Sequence, residues 1–195
     1  MRHIAVIMSS IRKQRFADRP AEWVMRRLAA EADVEADLID LRDHQLPAFD
    51  AVAPLHTGRN YPTAEAARFA RRIDRADGFV VLTSEYNHGY TGVLKNAMDH
   101  TFVEWNRKPM SFVGWGNVGG ARAVEQLRNV AVEFDMAPLR AAVHILPDLL
   151  YPAIRAAAPF DLTMLSPLDA KLDALISELL WWTDALKARR ASTGT

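Results

Sequence analysis

No cysteine occurs in the 195 residues, and that single absence removes disulfides, thiol catalysis, thiolate-bound zinc and cysteine-held iron–sulfur clusters. Redox chemistry in such a chain has to come from an organic cofactor. Net charge is lacking as well: 24 basic residues offset 24 acidic ones, so no long-range field gathers nucleic acid or an anionic membrane surface. Neither is expected as a partner. Nothing approaches the roughly eighteen consecutive apolar residues that a bilayer span requires. The opening run Ile4–Met8 is too short for the apolar region of a secretory signal, and the expected location is the cytoplasm. Several catalytic signatures are also missing. There is no glycine-rich loop ending in Gly-Lys-Ser/Thr and no Gly-x-Ser-x-Gly elbow, and no two histidines form a His-x-x-x-His pair. A P-loop, a hydrolase triad and a metal site are therefore not indicated.

What is present is a chain that is half hydrophobic, long enough to bury one substantial core and short for two. One domain over residues 1–195 is expected, without repeats or an interdomain linker. Ile4–Met8 reads as a strand buried on both faces. Pro20 suits the first turn of a helix that continues to about Glu31, with Trp23, Val24, Leu28 and Ala32 at helical spacing. Val34–Leu41 reads as a second strand, and the proline-punctuated Leu46–Thr63 as an irregular connection. Helix Thr63–Ala76, strand Gly78–Thr83, helix Thr91–Trp105, strand Met110–Trp115, helix Gly119–Phe134, strand Leu139–Leu146 and helix Leu168–Arg189 follow. Strands alternating with helices imply a parallel sheet covered on both faces. Five of them favour a doubly wound, flavodoxin-like α/β fold with strand order 2-1-3-4-5. The segment Pro147–Pro167 does not fit this alternation and reads as irregular, covering a site or reaching a neighbouring subunit.

Ligands of such sheets collect beyond the carboxyl ends of the strands, and three strand-end loops carry unusual residues. Ser9-Ser10-Ile11-Arg12-Lys13-Gln14-Arg15 combines hydroxyls and cations just before a helix N-terminus, which is what a phosphate requires. A solvated loop with surface arginines is the plain alternative. Ser84 to Tyr90 sets two tyrosines and His88 beside the turn formers Asn87 and Gly89, so that backbone donors and a ring can meet a flat heterocycle. The plain alternative is a turn whose tyrosines cover core edges. Gly114 to Gly120 holds four glycines and Trp115; Gly114, Gly116 and Gly119 keep the Gly-x-Gly-x-x-Gly spacing, which a tight strand-to-helix turn would equally show, and they lie late in the chain, so a pyrophosphate site is not read there.

Taken together these segments resemble the NADPH-dependent FMN reductase family, flavodoxin-like enzymes that include quinone, azo-dye and chromate reductases. Ser9-Ser10-Ile11-Arg12-Lys13-Gln14-Arg15 is similar to its Gly-Ser-x-Arg phosphate loop. Ser84-Glu85-Tyr86-Asn87 with Leu94-Lys95-Asn96-Ala97-Met98-Asp99 is similar to its Pro-Glu-Tyr-Asn and Leu-Lys-Asn-Ala-x-Asp motifs, and Gly116 to Gly120 to its later glycine loop. Ser9 and Ser84 depart from the usual glycine and proline. The resemblance, which runs to about Pro147, implies that Ser10, Arg12 and Arg15 hold the phosphate of FMN. Glu85, Tyr86 and Asn87 would line the flavin ring chiefly through backbone, and Asn117, Gly119 and Gly120 would close its other edge. It implies NADPH or NADH as electron donor, a small-molecule acceptor, no catalytic side chain beyond the flavin, and a homodimer or dimer of dimers. Leu94, Met98, Phe102 and Trp105 are the expected dimer seam, unless they face the chain's own sheet. An electron carrier docking on proteins is the competing reading, disfavoured by the neutral charge.

Overall fold

The computed structural model describes residues 1–50, 58–157 and 159–193. Its strands are β1 (Arg2–Met8), β2 (Val34–Asp40), β3 (Gly78–Ser84), β4 (Pro109–Trp115) and β5 (Ala137–Ile145). All pair in parallel, in the order β2-β1-β3-β4-β5, which is the expected flavodoxin-like order. Helices α1 (Asp18–Ala29), α2 (Ala64–Arg75), α3 (Gly92–Asp99) and α4 (Ala121–Glu133) make the crossovers, and α5 (Pro147–Arg155) and α6 (Asp169–Thr193) follow the last strand.

Burial follows the position of each strand in the sheet. Every residue of β3 and β4 is buried, as their predominantly apolar composition suits in central strands. The edge strands β2 and β5 keep partly exposed positions. Alternate residues of β1 point to opposite faces: Ile4, Val6 and Met8 pack with residues of α1 and α6, while Ala5 and Ile7 pack with residues of α2, α3 and α4. Capping residues set the helix starts. Thr63 accepts the Ala66 amide ahead of α2, and Thr91 accepts the Leu94 amide ahead of α3.

The structure corrects two expectations. The helix expected over Thr91–Trp105 ends at Asp99 and gives way to successive turns through Asn106. Side chains there compete for the backbone: Thr101 Oγ1 donates to the Met98 carbonyl at 3.2 Å, and Glu104 Oε2 accepts the Phe102 amide at 3.1 Å. The turns carry Trp105 inward, and Leu94, Met98 and Trp105 are fully buried in the chain's own core. They are not a dimer seam.

The second correction concerns Pro147–Pro167, which is not irregular but holds α5 and a 3-10 turn over Leu162–Leu168. Pro147 is a starter here, since the first helical position needs no N–H donor. Pro152 lies inside α5 and leaves the helix without one i→i−4 hydrogen bond. Leu150, Ala153, Leu165 and Leu168 anchor the segment in the core. Of the Leu46–Thr63 connection, 46–50 and 58–63 contain no helix or strand, and 51–57 lie outside the described residues.

Candidate functional site

The direction of chain crossover reverses between β1 and β3, and the ends of these strands are knitted together there. Ser9 N donates to the Leu82 carbonyl at 3.1 Å, Thr91 Oγ1 donates to the Ser9 carbonyl at 3.1 Å, and the Ser10 and Tyr86 hydroxyls meet at 3.3 Å. Beyond them opens a cavity of about 510 Å³, lined by Ser10, Arg12, Gln14, Arg15, Phe16 and Arg19 on one side and by Ser84, Glu85, Tyr86, Trp115 and Gly116 on the other, with Ile154 of α5 at its rim. Its position is the one that an open α/β sheet reserves for a ligand.

Arg12 and Arg15 do different work. Arg15 is bound to protein on every side: Nη1 donates to Asp40 Oδ1 at 2.7 Å and to the Ser10 carbonyl at 2.8 Å, Nη2 to Asp40 Oδ2 at 2.5 Å, and Nε to Asp18 Oδ1 at 2.8 Å. Burial works against its charge, but the two carboxylates outweigh it and keep the guanidinium ionised. Arg15 is thus the brace of the loop. Arg12 is exposed on the cavity wall. Burial pushes the Tyr86 phenol up, yet the Ser10 hydroxyl and the Arg12 guanidinium beside it hold it below the usual tyrosine range. Ser84 Oγ lies buried near that phenol without reaching hydrogen-bond geometry. Helix α1 points its N-terminus at the same loop, and its N-cap Ala17 has no side-chain acceptor to offer.

On the ring side, Tyr86 and Gly89 exchange backbone hydrogen bonds at 2.8 and 3.0 Å around Asn87 and His88, both with positive φ. This is the geometry of a type I′ turn. It turns the Asn87 and His88 side chains outward; the His88 ring accepts from Arg122 Nη1 at 2.8 Å, since a guanidinium only donates. The Glu85 carboxylate accepts from Arg122 Nε at 2.6 Å and from the Arg122 amide in the first turn of α4. The glycine loop is folded onto the strand ends. A Cβ on Gly120, at φ +73°, would lie 2.7 Å from the Trp115 amide nitrogen, so the fold itself requires glycine there. Asn117 Oδ1 accepts the Tyr151 hydroxyl at 2.6 Å.

The cavity therefore brings together Ser10, Arg12, Arg15, Glu85 and Tyr86, while Asn87, Asn117, Gly119 and Gly120 are not among its lining residues. Sequence reasoning missed Gln14, Phe16, Arg19, Ser84 as a wall residue, Trp115, Gly116 and Ile154. A signal existed for Arg19, which immediately precedes Pro20 and so falls in the first turn of a helix aimed at the strand ends.

The model of the NADPH-dependent FMN reductase family matches residues 2–147. The chain belongs to this family. The family's description names FMN as the flavin and NADPH as the electron donor. An NAD(P)H-dependent FMN reductase of Schizosaccharomyces pombe is 38% identical over 129 residues, 66% of this chain and 64% of that protein; the chain thus spans less than two thirds of this relative. A quinone reductase of Escherichia coli K12 is 31% identical over 143 residues, 68% of this chain and 70% of that protein. Among solved structures, a flavoenzyme NAD(P)H:(acceptor) oxidoreductase from Paracoccus denitrificans superposes with a TM-score of 0.65 at 23% identity, covering 96% of this chain and 98% of its own. That likeness bears on the fold. Among the described residues no helix is long and apolar enough to cross a membrane, and no cluster of His, Asp and Glu could hold a metal.

Proposed function

We propose that this chain is a cytoplasmic, FMN-dependent oxidoreductase that takes hydride from NADPH or NADH and delivers it to a small acceptor such as a quinone, an azo compound or free flavin. The observation that carries the reading is one cavity lined by two sets of residues: the hydrogen-bond donors Ser10 and Arg12, and Tyr86, Trp115 and Gly116. A phosphate monoester fits the first and a fused heterocycle the second. The names of the fungal and bacterial relatives support the donor and a quinone acceptor.

Bound FMN supplies the hydride transfer itself. The chain's residues hold and orient it. Arg12 and the Ser10 hydroxyl take the phosphate by charge-assisted and neutral hydrogen bonds, while Arg15 fixes the Ser10 carbonyl and with it the loop. Tyr86, held by the turn that it closes with Gly89, would line the ring through its backbone. Asn87, Asn117, Gly119 and Gly120 act on the ring through the shape of their two loops. No side chain is assigned as general acid or base.

Visible spectra test the reading: protein mixed with FMN should bind it, and anaerobic NADPH or NADH should bleach the bound flavin. Failure to bind at micromolar FMN overturns the assignment, and binding without bleaching supports an electron carrier in its place. Arg12→Ala should weaken FMN binding by roughly 1.5–3 kcal/mol, the worth of a hydrogen bond to a charged group; fluorescence titration giving unchanged affinity rejects that role.

A homodimer or dimer of dimers is also proposed. Its support is the family resemblance and not the α3 seam. Light scattering that shows only monomer at micromolar concentration overturns it.

A further inference from the structure

Exposed apolar side chains gather at one side of the cavity mouth. Among the described residues eight large hydrophobic side chains are exposed, and four of them, Val118, Leu146, Tyr151 and Ile154, belong to the glycine loop after β4 and to α5 with its N-cap. Loop and helix are tied to each other there. The Tyr151 hydroxyl donates to Asn117 Oδ1 at 2.6 Å, and a Cβ on Gly119 would stand 3.1 Å from Leu146 Cδ2. Tyr151 and Ile154, three residues apart, share one face of α5, while Leu150 and Ala153 are buried in the core. Both ends of this tie reach the cavity, through Gly116 next to Asn117 and through Ile154.

Single apolar side chains on a surface need no explanation, but a contiguous group beside a ligand cavity marks a binding surface. The lining that it adjoins is otherwise polar or enclosed. Ser10, Arg12, Gln14 and Arg19 are polar, and Phe16 and Trp115 are 9% and 6% exposed. Ile154, at 47%, is the one exposed aliphatic side chain on it. An acceptor has to bring its reacting ring into the cavity that takes FMN, and a substituent too large to follow the ring has to leave through the mouth. There the rim offers aliphatic carbon an escape from water and offers a charged group nothing. Tyr151 and Ile154 lie beyond residue 147, where the family match ends, so this side of the mouth is a feature of the chain's own last third.

We propose that the rim formed by Val118, Leu146, Tyr151 and Ile154 holds an aliphatic substituent of the acceptor, so that this chain favours ring acceptors bearing an alkyl chain. The inference rests on the FMN-dependent oxidoreductase reading and names the class of acceptor for that same cavity.

FMN-loaded protein with NADPH or NADH as donor, given 2-methyl- and 2-butyl-1,4-benzoquinone, tests it. The two share the reacting ring and differ by three methylenes. For the wild type, kcat/KM should rise by about twofold per methylene, roughly eightfold from methyl to butyl, which is half the free energy of burying each methylene completely. Equilibrium dialysis of the oxidised, FMN-loaded protein against the same quinones, without donor, should give the same ratio in Kd; the chain has no cysteine to add to a quinone. Ile154→Gln should lower both ratios, and Leu146→Gln combined with Ile154→Gln should bring them near one. Val132→Gln, at a site on α4 that is 62% exposed and outside the lining, should keep the wild-type ratios.

A wild-type ratio near one, or Ile154→Gln and double variants that keep the wild-type ratio, overturns the proposal while the FMN reading stands. Light scattering covers the other occupant: a double variant that turns a wild-type oligomer into monomer makes the rim the face of a second copy and overturns the proposal as well. Should the double variant not fold, Ile154→Gln and Val118→Asn decide by the same ratios. Failure of the wild type to bind FMN, or to consume NADPH or NADH with either quinone, is the separate result that removes the FMN reading itself.

Discussion

Trp105→Ala is expected to destabilise the fold by about 3–5 kcal/mol, the range for deleting a fully buried large aromatic side chain. Trp105 has no exposed surface. Its ring packs against Phe79 at 4.7 Å, Phe134 at 6.2 Å and Phe69 at 6.5 Å between centroids, so truncation opens a cavity where the turns after α3 meet α2, β3 and the end of α4. The indole Nε1 also donates to Thr101 Oγ1 at 2.7 Å, one of the contacts that keep those turns in place. In a chain of this size the loss corresponds to a drop in melting temperature of roughly 6–20 °C. Trp105→Phe, which restores most of the ring volume and drops only the N–H, should recover the larger part. Thermal or urea unfolding at several protein concentrations separates this from an interface role. A core residue costs stability at every concentration, whereas a seam residue would leave the monomer's own unfolding intact and change only the oligomeric state.

Trp105 also shows where sequence reading loses its grip. The spacing of Leu94, Met98, Phe102 and Trp105 continues a helical stripe, and nothing in it signals that Thr101 and Glu104 will capture backbone groups and end the helix at Asp99. The strands were legible for a simpler reason. Ile4–Met8 is apolar without a break, Gly78–Thr83 up to its terminal threonine and Met110–Trp115 but for Ser111, a composition that suits a strand covered on both faces. Pro147 and Pro152 misled because proline marks an ending inside a helix and a beginning at its first position, and composition alone does not distinguish the two. In the site, the residue types were readable and their partners were not. Arg12 and Arg15 look alike in sequence, three residues apart on one loop. What separates them is Asp40, at the end of a strand that comes 25 residues later. At Gly120 the glycine answers to the fold, since the backbone of Trp115 fills the space that a Cβ would take.

That difference between the two arginines gives the other large effect: Asp40→Ala should cost about 3–5 kcal/mol, because it leaves a guanidinium that is 4% exposed without its main counterion. Asp40 accepts both terminal nitrogens of Arg15 and, through Oδ1, the Arg42 amide at 2.9 Å. Removing it releases the end of β2, and it also frees Arg15 from the geometry that holds the Ser10 carbonyl and the first turn of α1. FMN affinity should fall along with stability, although Asp40 does not line the cavity. Asp40→Asn keeps the size and one acceptor and should lose less of both. The pH dependence has a definite sign. Burial pushes the Asp40 carboxyl up, but Arg15 and the Arg42 amide outweigh it and hold the group below the ordinary carboxylate range. Its contribution is therefore complete above the unfolded value of about 3.9 and is lost as pH falls through the lower folded value. Urea unfolding of wild type and Asp40→Asn should show a gap that is constant near neutrality and narrows in acid below about pH 4. A gap that instead widens in acid, or an Asp40→Ala variant as stable as the wild type, would show that the clasp does not hold the phosphate loop.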